Sequence, residues 1–292
     1  MTLPSVARLA LGTVQFGVPY GVSNTGGQVQ EVQVKAILKA AADAGIDMLD
    51  TAAAYGDAEA VIARATADLG HRFRVVSKTL PGAGIDAVVA AARRSAELAG
   101  GGLDALLVHH PSDLAGHPGD RLWRALQDLA NTGGIGRIGL SASFDDRPLD
   151  LAARFSPAVM QVPVSLFDQR LVRDGTLAEL KARGIEIHAR SIFLQGLLFA
   201  GEDQLAATIR HIAPALETRR QMIRQRGATL VEAALGYVLA QPELHRIVVG
   251  LTAVRELDQI RAAAAAAPRD MPWTEIAIDD PTVLNPSRWI LP

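Results

Sequence analysis

The feature that most narrows what this chain can fold into is an unbroken alternation of short apolar β-like runs with amphipathic helical stretches. The strand-like runs fall at 8–12, 46–50, 73–77, 105–108, 137–141, 158–162, 185–190 and 246–250. Between them, Val34, Ile37, Leu38 and Ala41 mark one helical face that ends at Gly45, and Ala58, Val61, Ile62 and Ala65 mark a second. Further helical patterns cover 85–98, the stretch around Leu122, Leu126 and Leu129, then 204–226, 229–240 and 254–267. Eight β-then-α units with no linker-like composition between them predict an α/β protein, a (β/α)8 barrel of the TIM type, as a single domain over residues 1–292. An open doubly wound sheet is the rival, and no G-x-G-x-x-G follows the first strand. The tail after Pro268 reads as an irregular segment packed on the barrel, because an unstructured tail rarely keeps two tryptophans, here Trp273 and Trp289.

Composition removes several kinds of chemistry. With no cysteine, there is no disulfide, thiolate metal site or thiol nucleophile. A net charge of −2 offers no electrostatic case for nucleic acid or an anionic membrane as partner. The first eight residues lack a basic region followed by an apolar core, and the alanine run 262–267 is too short to span a bilayer. A cytoplasmic protein with no membrane partner is the expectation.

In such a barrel the reactive site lies at the C-terminal ends of the strands. Those ends read, in order, Gly12 and Thr13, Asp50, Lys78, His109, Ser141, Gln161, Arg190 and Gly250. Polar residues recurring at one structural position in successive units are the strongest functional signal in the chain. Asp50 is followed after one short loop by Tyr55, and a tyrosine donates a proton poorly near neutrality unless a cation assists it. Lys78 is one of four lysines, and the other three, Lys35, Lys39 and Lys181, lie in helical patterns. Taken alone, Lys78 reads as an ordinary lysine paired with a carboxylate. Beside Asp50 and Tyr55 it reads as the cation that makes the phenol a competent acid.

His109 and His110 invite a metal, yet consecutive strand residues point to opposite faces. The His-x-His pattern of barrel metallohydrolases is also missing, its nearest substitute being His188-Ala-Arg190. No metal is therefore expected. One histidine is expected to face the mouth as a hydrogen-bond donor. Ser141 and Gln161 together offer a hydroxyl and an amide able to grip a carboxamide. Arg190, if it faces the mouth, needs an anion or an aromatic face to offset its desolvation.

These residues resemble the aldo-keto reductases. The matching pieces are Leu11-Gly12-Thr13, Asp50-Thr-Ala-Ala-Ala-Tyr55-Gly56 with Glu59, Ser77-Lys78, Leu107-Val-His109-His-Pro111, Gly139-Leu-Ser141, Gln161-Val162 and Gln195-Gly196-Leu197, in the family's order. The resemblance implies a catalytic tetrad of Asp50, Tyr55, Lys78 and His109. Tyr55 exchanges the carbonyl proton, Lys78 activates it, Asp50 holds the lysine and His109 orients the carbonyl. It also implies hydride exchange with NADP(H) or NAD(H), the carboxamide being held by Ser141 and Gln161. Gly12, Thr13, Asp50, Arg190, Gly250, Thr252 and Arg255 complete the expected cofactor contacts. The substrate is then a small carbonyl compound or the corresponding alcohol, sugars included, and the expected pocket residues are Phe16, Tyr20, His110 and Trp289, with the loop 111–119.

This chain departs from the family pattern in four places. Ala142 follows the clamp serine where many members have asparagine, and Arg190 takes the place of the aromatic residue that stacks on the nicotinamide ring. Its planar guanidinium is expected to assume that role. After the eighth strand, Thr252-Ala-Val-Arg255-Glu256 leaves only Arg255 to meet a 2′-phosphate, and without a bidentate partner that phosphate loses its main source of preference, so NAD use is open. The usual N-terminal hairpin is missing, which predicts a more open barrel floor. Two other functions fit parts of the pattern: a nicotinamide-holding regulatory subunit without turnover, and a metal-dependent barrel hydrolase using His109, His110 and His188. The oligomeric state has no sequence signature.

Overall fold

Eight parallel strands pair in sequence order, and β1 closes on β8, among residues 5–22, 24, 26–268 and 270–289, which the computed structural model describes. They are β1 (Leu9–Gly12), β2 (Met48–Asp50), β3 (Arg74–Lys78), β4 (Ala105–Val108), β5 (Ile138–Ser141), β6 (Val159–Pro163), β7 (Glu186–Arg190) and β8 (Leu244–Gly250). The predicted (β/α)8 barrel is thus the architecture observed, with strand boundaries within two residues of the sequence reading. Among the described residues, no helix is long and apolar enough to cross a membrane.

Alternation along each strand sorts its side chains into two cores. Ala10, Met48, Val76, Ala105, Leu107 and Val159 fill the barrel interior, and the intervening residues, such as Leu11, Leu49, Leu106 and Ile187, face the surrounding helices. The helices Glu31–Asp43, Ala58–Thr66, Ile85–Leu98 and Gly116–Asn131 bury the apolar faces expected of them. Pro148–Phe155 and Thr176–Ala182 are helices too short for their periodicity to stand out in the sequence. The stretch expected to be helical over 204–226 becomes short 3-10 turns and then a helix Ala213–Gln225. Pro214 stands in the first turn of that helix, where its missing N–H leaves no bond unmade. The loop expected over 111–119 is shorter, since a helix begins at Gly116.

Below the apolar plug, the barrel floor is lined with charge. Arg74 bridges Asp47 and Asp104, Arg137 bridges Asp104 and Glu186, and Arg246 returns to Asp47 at 3.2 Å. Arg8, in the single turn that precedes β1, donates to the carbonyls of Leu239, Gln241 and Leu244 at 2.7–2.9 Å. No hairpin precedes β1 among the described residues.

Candidate active site

One inward-facing layer remains at the C-terminal ends of the strands, and it holds the residues the strand-end reading selected. A cavity of about 960 Å³ opens there, lined by Gly12, Thr13, Asp50, Tyr55, Lys78, His109, His110, Ser141, Gln161, Arg190, Gly250 and Thr252 among others. The Lys78 side chain is 1% exposed, and its Nζ donates to Asp50 Oδ1 at 2.6 Å and to the Thr51 carbonyl at 2.9 Å. The same ammonium lies 5.1 Å from the centroid of the Tyr55 ring. Burial works to lower the Lys78 pKa, but the Asp50 charge and the Tyr55 hydroxyl outweigh it, so the pKa is raised and the group stays an ammonium. Asp50 is held from its other side by Gln161 Nε2, which donates to Oδ2 at 2.6 Å. Gln161 therefore supports the carboxylate, a role its position alone did not reveal.

The His109 ring meets the Tyr55 ring edge-on at 5.8 Å between centroids. Burial lowers the His109 pKa to about 4, with Lys78, His110 and Arg190 adding to the shift and Asp50 opposing it. His109 is therefore a neutral imidazole near neutrality. Both His109 and His110 face the cavity, their rings 4.9 Å apart. β4 ends at Val108, so strand alternation no longer governs the pair, and His110, expected among the pocket residues, lines the cavity beside His109. His188 stands apart from them. It is buried on β7 with Nε2 bonded at 2.8 Å to Glu186, which also pairs with Arg137 at the floor. Among the described residues, no cluster of three acidic or histidine side chains is arranged to hold a metal.

Three further expectations are corrected. Phe16 is fully buried in the core between barrel and helices and does not line the cavity, because the turn Val14–Gly17 rotates it inward. Trp289 is 8% exposed, with its indole N–H bonded to the Thr282 carbonyl, so it anchors the tail while Leu284 to Ser287 supply the wall. Arg255 is exposed and not part of the cavity lining, whereas its neighbour Glu256 is. Glu256 accepts from the backbone N–H of Thr252 at 2.6 Å, in the first turn of the helix Val254–Ala266. Tyr20 and His110 do line the mouth.

The sequence reading gave several further contributors no structural role. A Cβ on Gly17 would lie 1.8 Å from the Tyr55 carbonyl oxygen, and one on Gly56, at φ +57, would lie 2.5 Å from the Gly17 carbonyl. Contact between these two glycines lets the loop after β1 press directly on the loop that carries Tyr55. Glu59 accepts from Ser77 at 2.6 Å and from Ser95 at 2.9 Å, fixing the end of β3 just before Lys78. The loop after β7 carries Ser191, Leu194 and Gln195 at positive φ, a concentration of backbone strain typical of ligand-holding segments. Glycine spacing hints at none of this strain, since none of the three is glycine. Buried polar atoms without a partner among the described residues include Gln15 Oε1, His109 Nδ1 and Arg190 Nε, all on cavity-lining residues.

The fold and site together define a barrel protein whose mouth gathers a phenol, an ammonium, a carboxylate and a neutral imidazole. The chain belongs to the aldo/keto reductase family, whose model matches residues 8–277, and that family is one of oxidoreductases. No curated protein matches the chain. Among solved structures, an aldo-keto reductase from Bacillus halodurans in its holo form is similar at 18% identity and a TM-score of 0.72. That match covers 92% of this chain and 90% of the other. A Pseudomonas aeruginosa protein assigned to the aldo-keto reductases is similar at 21% identity and a TM-score of 0.64, covering 89% and 90%. At these identities the two structures speak to the fold.

Proposed function

We propose that this protein exchanges a hydride between a nicotinamide dinucleotide and a small carbonyl compound or its alcohol, with Tyr55 as the general acid and base. The observation that carries this reading is the convergence of Tyr55, Lys78, Asp50 and His109 at one wall of the cavity. The cavity fits a dinucleotide in size and in its polar groups. Its lining includes the loops after β1, β7 and β8, and it presents the partnerless acceptor Gln15 Oε1 and the partnerless donor Arg190 Nε. Gly250 keeps its wall flat, since a Cβ there would come within 3.0 Å of Gln15. When bound, the nicotinamide supplies or accepts the hydride.

The chain's own residues handle the rest. Neutral His109 donates a hydrogen bond to the substrate oxygen and sets its position against Tyr55. As negative charge develops on that oxygen, the Tyr55 hydroxyl gives its proton, and the Lys78 ammonium stabilises the phenolate left behind. Asp50, with one oxygen on Lys78 and the other on Gln161, prevents the ammonium from turning away. Oxidation of the alcohol follows the same path reversed, with the phenolate taking the proton. The mouth, walled by Tyr20, His110 and the segment from Leu284 to Ser287, accommodates both sugars and hydrophobic ketones.

NAD(H) is the proposed cofactor in preference to NADP(H). Thr252 and Glu256 line the cavity beyond β8 and would meet the adenosine ribose of a dinucleotide reaching there from Ser141 and Gln161. The Glu256 carboxylate would accept from ribose hydroxyls and repel a 2′-phosphate, and Arg255 does not line the cavity. The test is fluorescence titration with NADH and NADPH, then a panel of aldoses and ketones with the wild type and Tyr55→Phe. Tyr55→Phe should keep its affinity for NADH and lose about 10²- to 10⁴-fold in reduction. Near-normal turnover in that variant removes Tyr55 from its role. Tight dinucleotide binding by the wild type, with no turnover across the panel, would point to a binding module instead.

A further inference from the structure

One cation at the barrel mouth has no ion pair. Lys78 pairs with Asp50 across 2.6 Å and Arg170 with Asp168 at 2.8 Å, His109 is uncharged, and Arg190, which shares the cavity with Asp146 and Glu256, pairs with neither. No carboxylate lies within ion-pair distance of Arg190 among the described residues. Asp50 and Asp146 act on it only from farther away, and each is engaged elsewhere, Asp146 by the Ser143 N–H at 2.7 Å. The guanidinium has only neutral partners, at 3.1 Å to Ser143 Oγ, 3.4 Å to Ser191 Oγ and 3.5 Å to the Ala142 carbonyl, and its Nε has none.

These contacts also fix where the charge sits. Arg190 ends β7, yet its partners Ala142 and Ser143 follow β5. The side chain therefore reaches across the end of β6, on the side of the barrel where Ser141 and Gln161 lie opposite each other in the β5–β6 register. A ring held through its carboxamide by Ser141 and Gln161 would lie close to this guanidinium.

We propose that Arg190 sets the redox bias of the site, holding the reduced, uncharged nicotinamide more tightly than the oxidised, cationic one. The inference rests on the reading that this cavity takes a nicotinamide dinucleotide. When an alcohol is oxidised, its C–H bond breaks with the electron pair passing to the ring, and its O–H proton passes to the Tyr55 oxygen. The ring loses its positive charge, and the repulsion from Arg190 vanishes. Carbonyl reduction restores that repulsion. Arg190 thus shifts the on-enzyme equilibrium toward carbonyl and reduced cofactor, the direction of a dehydrogenase. Two unit charges about 5–7 Å apart at an effective dielectric of about 20 correspond to a roughly 50- to 300-fold preference. Each tenfold is about 30 mV for a two-electron couple.

The experiment measures dissociation constants of NAD+, NADH, NADP+ and NADPH by calorimetry for the wild type, Arg190→Met and Arg190→Lys. The ratio of oxidised to reduced dissociation constants should fall roughly 50- to 300-fold in Arg190→Met and stay within about threefold of wild type in Arg190→Lys. An unchanged ratio in Arg190→Met, with both redox forms bound, overturns the proposal and leaves the cofactor reading intact. Failure of the wild type to bind any of the four dinucleotides sinks the cofactor reading itself. If Arg190→Met does not fold, as judged by circular dichroism, Arg190→Gln places a neutral group of similar reach there and decides by the same ratio.

Discussion

At the scale of single residues, Lys78 carries more than its own charge. It is buried beside Tyr55, and among the described residues Asp50 is the carboxylate that pairs with it. Removing one member of a buried pair leaves the other desolvated and unpaired. Lys78→Met should therefore lower stability by about 3–5 kcal/mol in urea unfolding, and adding Asp50→Asn should recover part of the loss. His109 provides a second check, through pH. Its folded pKa of about 4 lies below its ordinary value of 6.5, so the folded state takes up its proton later than the unfolded chain does. Its contribution to stability is thus complete above pH about 6.5 and is lost as pH falls toward 4. The His109 ring signals in NMR should stay flat from pH 8 to about 5.5 and move with a midpoint near 4. A midpoint near 6.5 would mean the imidazole is not desolvated as described.

At the scale of elements, the strands hold the tetrad's register and the loops decide its reach. Asp50 and Lys78 are inward residues of adjacent strands, so barrel closure alone brings them together. Tyr55 lies beyond β2 on a loop whose path depends on the approach of Gly17 to the Tyr55 carbonyl. Gly17→Ala overpacks that contact and should lower stability by about 1–3 kcal/mol. It should lower kcat far more than it raises KM, because the phenol is displaced while the cavity wall remains. Equal turnover in Gly17→Ala would show that the loop finds its position without this contact. The same loop explains the error over Phe16: an aromatic residue in a glycine-rich segment reads as a pocket wall, but one helical turn carries it into the core.

Considered whole, the molecule keeps its chemistry and its charged scaffolding at opposite ends, with the apolar plug of Ala10, Met48, Val76, Ala105, Leu107 and Val159 between them. At the floor, burial alone would raise the Glu186 pKa, but the hydrogen bonds and charges of His188 and Arg137 outweigh it and hold the carboxyl well below its ordinary range. A carboxylate depressed in the folded state stabilises the fold above its unfolded pKa of 4.5, and that stability is lost as pH falls below it. Glu186→Gln should therefore be less stable than wild type at pH 7, with the difference shrinking toward pH 3 in urea unfolding. A difference independent of pH would assign the loss to packing.

How much of this was legible in the chain follows from the range of the forces involved. Strand and helix periodicity, and the polar residue at each strand end, are local patterns, and barrel closure turns them into a common layer. The fold and the grouping of Asp50, Lys78, His109, Ser141, Gln161 and Arg190 at one mouth could therefore be read in advance. Contacts that depend on loop paths could not. The burial of Phe16 and Trp289, the hold of Gln161 on Asp50 and the isolation of Arg190 among neutral partners all arise from segments far apart in sequence. Their geometry is set by packing against one another, and only the tertiary structure contains that information.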